Sequence, residues 1–243
     1  MISFIAHNLF FLKRKEVWFY ENQKIKNSGY TVYIASMKQP EGKVFLLHSQ
    51  LTNCIDLSKP IEELFQSIHP TIRYDIKMGE KQEFVIENNF QPTNAECEQL
   101  LKPYNSFARA KAIKSISRNW LFAAAEQKCI WLTSIVQDGL PVAAHIYIHD
   151  TKQIILTHSY NNLDFTNNTL RGYANKLLHW KDILLFKEKG LMLYNWGGVN
   201  PSLQGISEFK TRFGGKPIEQ YSYIRTNSII NFMMRIHKFL FRK

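Results

Sequence analysis

The sequence predicts an α+β (α/β) fold, and three observations predict it. Three apolar segments at 130–137, 142–149 and 153–160 follow a helical region and are separated by turn residues. A long segment at 169–188 spaces Leu170, Ala174, Leu177, Leu178, Ile183, Leu184 and Phe186 so that they cover a sheet. After it, Tyr194-Asn195-Trp196-Gly197-Gly198-Val199 and Gly205-Ile206-Ser207-Glu208-Phe209-Lys210-Thr211-Arg212-Phe213-Gly214-Gly215 read as strand, glycine loop, short helix and glycine stop.

The remaining elements follow from local chemistry. Strands are expected at 2–6, 16–20, 30–36 and 43–48, with turns at Asn27-Ser28-Gly29 and Gln39-Pro40-Glu41-Gly42. Ser58, Pro60, Glu62 and Glu63 mark the start of a helix over 60–67. His69-Pro70 interrupts it, a basic helix occupies 71–80, and a strand at 83–87 follows. Thr93 caps a helix over 94–102, and a further helical region spans 105–127. Asp138-Gly139-Leu140-Pro141 and Asp150-Thr151-Lys152 make tight turns between the three strands. A strand at 191–195, the helix that carries Lys210, a strand at 217–224 and a helix at 228–241 end the chain.

With 243 residues, 45% of them hydrophobic, the chain can bury a sizeable core as one large domain or two small lobes. Cys54, Cys97 and Cys129 are far apart and odd in number, which argues against a disulfide framework or a zinc knuckle and favours a reducing compartment. Cys129 falls in an apolar strand and reads as core. At the N-terminus the basic run Lys13-Arg14-Lys15 follows the apolar stretch instead of preceding it, unlike a secretory leader. No window holds 18 uninterrupted apolar residues. The expected location is therefore cytoplasmic. The formal net charge is +11, and residues 205–243 hold eight Lys and Arg against Glu208 and Glu219. A basic surface suits anionic partners such as nucleic acid, phospholipid or nucleotide phosphate, without choosing between them.

Several residues can carry chemistry. Phe209 and Phe213 share one helix face, Lys210 points elsewhere, and Glu208 and Arg212 are placed to pair. On spacing alone this is an ordinary amphipathic helix with a solvated lysine. Arg73 and Lys77 share a face by their i, i+4 spacing, and can grip phosphates or form a solvated face. His145, Tyr147 and His149 alternate along one strand, with His158 on the next. No acidic or cysteine ligand accompanies them at useful spacing, so no metal site is expected. His158 and Tyr160 fit substrate contact or proton handling as well as a structural role. A Ser-His-Asp triad is not built, because no Gly-x-Ser-x-Gly elbow occurs. In the last helix Asn231, Arg235, Lys238 and Arg242 form a basic stripe beside an apolar face. That pattern fits a helix on anionic lipid and also one docked on the core.

The segment from Tyr194 to Gly215 resembles the C-terminal signature of the FemAB-like acyltransferases, a branch of the GNAT fold. The matching residues are Tyr194, Trp196, Gly197, Gly198, Gly205, Ile206, Phe209, Lys210, Phe213, Gly214 and Gly215, while Asn195 stands where Asp is usual. A second, weaker match runs from Ile72 to Lys81. Together they frame residues 65–225. The resemblance implies a GNAT-like fold with a mixed, largely antiparallel sheet flanked by helices. It also implies an abbreviated GNAT-like lobe over residues 1–90, an acyltransferase domain over 91–226, and the basic helix over 227–243. In that fold a donor lies where the fourth strand parts from the fifth, and the next helix offers free N–H groups to a pyrophosphate. Thr169-Leu170-Arg171-Gly172-Tyr173-Ala174 half-matches the family's loop there.

As the resemblance implies it, the activity is N-acyl transfer to an amine of a cell-envelope precursor, peptidoglycan or surface polysaccharide. Lys210 is then the catalytic cation, or meets only phosphate or solvent. Tyr194, Trp196, Gly197, Gly198, Arg171, Gly172, His158 and Tyr160 contact the donor, and Arg73 and Lys77 hold acceptor phosphates. No cofactor is permanently bound, since acyl-CoA or aminoacyl-tRNA serves as donor. The expected partners are a nucleotide- or lipid-linked amine, tRNA, and an anionic membrane surface met through residues 228–243, giving a peripheral position at the inner face. Two rivals remain: a noncatalytic GNAT-like scaffold at the membrane, and a nucleic-acid-binding protein. The second lacks any RNP, zinc-finger or helix-turn-helix pattern.

Overall fold

The computed structural model describes residues 1–9, 12–20, 30–42, 44–198, 204–227 and 230. The element order is β1 (Ile2–Leu9), β2 (Leu12–Trp18), β3 (Tyr30–Ser36), β4 (Leu46–Asp56), α1 (Ile61–Ser67), α2 (Pro70–Glu80), β5 (Val85–Asn89), α3 (Asn94–Ala110), α4 (Arg118–Glu126), β6 (Ile130–Gln137), β7 (Leu140–His149), β8 (Gln153–Asn161), α5 (Asn168–Glu188), β9 (Leu193–Gly198), α6 (Gln204–Arg212) and β10 (Lys216–Thr226). The class is α+β. Of the expected helix at 228–241 only Ile230 is described, helical and buried, and Val199 lies outside the described residues.

The chain forms two compact units, residues 1–51 with 218–243, and residues 52–217. In the larger unit α2 packs along α5 and β5 pairs with β6. In the smaller unit the strands run β1-β2-β3-β10, antiparallel except for the parallel pair β2 and β3. Its core stacks Tyr33 on Tyr223, ring centroids 4.5 Å apart, beside Val17, and the Arg225 guanidinium lies over both rings.

In the larger unit the order is β4-β9-β8-β7-β6-β5, antiparallel except for β8 and β9. The three-strand run is where the sequence puts it, and Asp138 and Gly139 both take positive φ, as a tight hairpin turn requires. Thr93 and Glu96 form a reciprocal capping box at the start of α3. α3 continues to Ala110 through Pro103, and α4 begins only at Ser117, so the expected helices at 94–102 and 105–127 are divided differently. Asn105 causes the break: its side chain holds both backbone groups of Ile116 and folds the connection back on α3. β4 runs from Leu46 through Asp56, beyond the expected 43–48, because residues 52–56 pair with β9, and this buries the polar Thr52 and Asn53. Cys54, Cys97 and Cys129 are free and buried, and burial pushes their thiols up to about 12, 11 and 12. Such thiols stay protonated and inert at neutral pH.

One carboxylate locks α5 to the sheet. Asp182, 1% exposed, accepts at Oδ2 from His145 Nδ1 (2.7 Å), Tyr147 Oη (2.6 Å) and Thr133 Oγ1 (3.1 Å). The sequence reading found no acidic partner for His145 and Tyr147. The partner comes from a helix 37 residues away in sequence, which strand spacing does not report. His145 stacks on His179 at 4.0 Å, and the two rings are only 23° from parallel. His145, His179 and Asp182 each bring one potential ligand atom within 4.8 Å of the others, and in this structure the His145 Nδ1 is engaged with the Asp182 carboxylate.

Replacing Asp182 with Ala strands three buried donors. We expect a loss of about 3 kcal/mol or more in urea denaturation, since each unsatisfied buried group costs about 1–3 kcal/mol. A variant as stable as the parent would remove the carboxylate from this role.

Candidate functional site

The site is built where two parallel strands part company. β8 and β9 pair through Gln153–Leu193, Ile154–Tyr194 and Ile155–Asn195. Beyond those pairs β8 runs to Asn161 and β9 to Gly198 without pairing to one another. At this opening Gly197 takes φ +72°, and a Cβ there would stand 3.0 Å from the Leu156 carbonyl oxygen. Only glycine meets both conditions. Asn195 Oδ1 accepts the Gly197 N–H at 2.8 Å. The Thr52 hydroxyl lies against both Asn195 Oδ1 and the Gly197 carbonyl, the latter at 2.7 Å. A neutral Asn thus organises the turn in the position where the resemblance expects Asp.

Lys210 is brought to this turn by α6. Its Nζ donates to the Gly198 carbonyl at 2.8 Å. Burial lowers its pKa from 10.5 to about 8. The helix is held from below by Asn53, whose Nδ2 donates to the carbonyls of Lys210 (2.8 Å) and Gly214 (2.6 Å). Phe209 and Phe213 touch at 5.1 Å and pack on His179 and Trp196, as their spacing predicts. Glu208 accepts from Gln204 and does not pair with Arg212 as the spacing suggested. Gly215 has φ +91°, and a Cβ there would lie 2.6 Å from the Cys54 carbonyl oxygen.

The candidate residues fall into separate groups. Gly197, Gly198, Trp196 and Lys210 come together at the end of β9. Tyr194 and Trp196 are 0% and 1% exposed and shape the opening from behind, through aromatic contacts with Tyr147, Phe186, His179 and Phe213. His158 and Tyr160 pack against Tyr104 of α3. Arg171 is held locally, its guanidinium donating to the carbonyls of Asn162 and Phe165 and to Asn168 Oδ1. Gly172 is open, with Lys176 Nζ the only atom near a Cβ built there, at 3.7 Å. Arg73 donates to Gln66, and Lys77 is exposed on the same helix α2. Thr52, Asn53 and His179 are additions to the sequence reading. The signal for the first two was a polar pair inside an otherwise strand-like run, and His179 was hidden in the apolar pattern of α5.

Burial keeps three histidines neutral. It lowers His158 from 6.5 to about 4 and lowers His149 and His179, the last further opposed by His145 and Lys210. No helix among the described residues is long and apolar enough to cross a membrane.

No family model matches the chain, and no curated protein sequence matches it. Solved structures share its fold. FemX superposes with a TM-score of 0.60 at 11% identity, covering 84% of this chain and 68% of that one. A C-terminal DUF2156 domain from Agrobacterium fabrum, named for lysylphosphatidylglycerol synthetase, gives 0.57 at 11%, covering 84% and 70%. The L-PGS of Bacillus licheniformis gives 0.53 at 12%, covering 84% and 71%. The chain therefore shares the fold of these three proteins.

Gly215→Ala should cost about 2 kcal/mol in chemical denaturation, from a strained φ and a backbone clash. An unchanged midpoint would show that the loop relaxes freely. Between pH 6.5 and about 4 the unfolded chain binds protons that folded His158 refuses. Stability therefore falls as pH drops through that window. The thermal midpoint of His158→Gln should fall less steeply there, and parallel slopes for variant and parent would refute the assignment.

Proposed function

We propose that this chain is an N-acyltransferase that moves an acyl or aminoacyl group from acyl-CoA or aminoacyl-tRNA to an amine of a cell-envelope precursor. The observation that carries the reading is Lys210, half-buried at the unpaired ends of β8 and β9 with its ammonium on the Gly198 carbonyl. The acyltransferase fold shared with FemX supports it.

In the reaction the amine nitrogen attacks the donor carbonyl carbon, and a C–N bond forms. Negative charge gathers on the carbonyl oxygen. The donor C–S or C–O bond then breaks, the amine loses a proton, and the leaving thiol or ribose hydroxyl ends protonated. Lys210 faces the oxyanion in this reading. Its ammonium is partly desolvated, so its field is less damped than that of a surface lysine. Gly197 and Gly198 let the donor approach the backbone, with Tyr194 and Trp196 as rigid backing. His158 and Tyr160 contact the donor from β8, and Arg171 and Gly172 contact it from the start of α5. Arg73 and Lys77 on α2 hold acceptor phosphates. Residues 1–90 act as the abbreviated lobe of a two-lobed enzyme, residues 91–226 as the catalytic domain, and residues 227–243 as a basic contact to anionic lipid at the inner face of the membrane.

Single-turnover transfer to glucosamine, with acetyl-coenzyme A and charged tRNA tried in turn as donor, tests the proposal. Lys210→Ala should lower the rate about 10²–10³-fold with circular dichroism unchanged, while Lys210→Arg retains part of it. Because the cation is lost as pH rises through about 8, the Lys210-dependent advantage over the Ala variant should shrink above that pH. Full activity in Lys210→Ala would overturn the role.

A further inference from the structure

The chain carries +11, yet a cavity beneath α3 is lined by carboxylates and amides without a single Lys or Arg. It has a volume of about 390 Å³, within the range of small-molecule sites, and lies between α3 and strands β5 to β8. A second cavity of about 330 Å³, lined in part by Lys102, adjoins it at Pro103 and Tyr160 and is distinct from the acceptor-rich one.

Three features make its wall rich in acceptors. Glu87 Oε2 accepts from Ser134 at 3.1 Å, and Oε1 takes no hydrogen bond among the described residues. Glu96 adds a second carboxylate, whose oxygens already accept from Asn89 and Thr93 but keep their charge. Pro103 has no N–H, so the Gln99 carbonyl one turn earlier loses its usual helical donor on the same wall. The fourth feature is Tyr160. It is 4% exposed and lines both cavities, and its hydroxyl has no hydrogen-bond partner among the described residues. Burial raises its pKa, so the hydroxyl keeps its proton at neutral pH. The ring is buried against α3 while the hydroxyl itself reaches the open space of the cavity, where it can meet a ligand.

We infer that this cleft binds a primary ammonium group, with Glu87 as its counter-charge and the Tyr160 hydroxyl as a hydrogen-bond partner for the group that bears it. A donor-rich cation is the ligand that an acceptor-rich wall selects, and charge-assisted hydrogen bonds are the strong ones. A phosphate or carboxylate would be repelled. Its role as the acceptor amine's entry point rests on the acyltransfer reading; the binding itself does not. Tyr160 sits on β8, the strand whose other edge opens toward β9 and Lys210.

The test is titration followed by NMR, with glucosamine and with Nα-acetyl-lysine amide as two sources of the same ammonium. N-Acetylglucosamine is the neutral control. Either amine should shift the resonances of Ser134, Ala144 and Tyr160, and the neutral sugar should bind far more weakly. Stronger binding of the sugar or of the lysine amide identifies the source. Glu87→Gln, an exposed substitution on an edge strand, should weaken amine binding about tenfold without changing the thermal midpoint. Tyr160→Phe keeps the ring packing on Tyr104 and Phe107 and should weaken it as well. Equal binding of glucosamine and N-acetylglucosamine, or unchanged affinity in Glu87→Gln, overturns the site. Amine binding without any acyl transfer would instead remove the acyltransfer reading and leave the site standing.

Discussion

The Asp182 carboxylate is the contact on which the larger unit depends. It joins the middle of α5 to β6 and β7 through three donors and leaves no rotational freedom about the helix axis. Fixing that rotation also fixes His179, one turn earlier on the same face, against His145. His179 in turn is the surface on which Trp196, Phe209 and Phe213 pack. A buried charge that accepts several hydrogen bonds tolerates few alternative arrangements, so it specifies geometry as much as it stabilises.

The second constraint is backbone access at the end of β9. Gly197 approaches the Leu156 carbonyl more closely than any side chain permits, and Asn53 reaches two carbonyls of α6 and its glycine stop. The result is a lysine held at a strand end instead of swinging in solvent. Burial lowers its pKa to about 8, which still leaves it mostly charged at neutral pH. A cation that is charged, partly dry and held on a carbonyl is a chemically useful object, whereas the same residue on an open helix face is not.

Charge is distributed with the same economy. The basic excess concentrated after residue 205 favours anionic partners, while the cleft under α3 is walled by carboxylates and a helix carbonyl freed by Pro103.

Much of this was legible in the sequence. Apolar runs bounded by turn residues placed β6 to β8, because strands covered by helices bury nearly continuous stretches. The glycine-bracketed segment with Lys210 marked the turn at the end of β9, because positive φ and close backbone approach leave a glycine signature. What periodicity could not reveal were partners remote in sequence: Asp182 for His145, Asn53 for α6, and Asn105 for the break before α4. Nor could it reveal that Arg171 donates to the carbonyls of the loop before its own helix. Local sequence determined the elements and the glycine turn, since both follow from short-range sterics and burial. Only the tertiary structure decided which polar groups meet, because a hydrogen bond across 37 or 157 residues depends on how the sheet and helices pack.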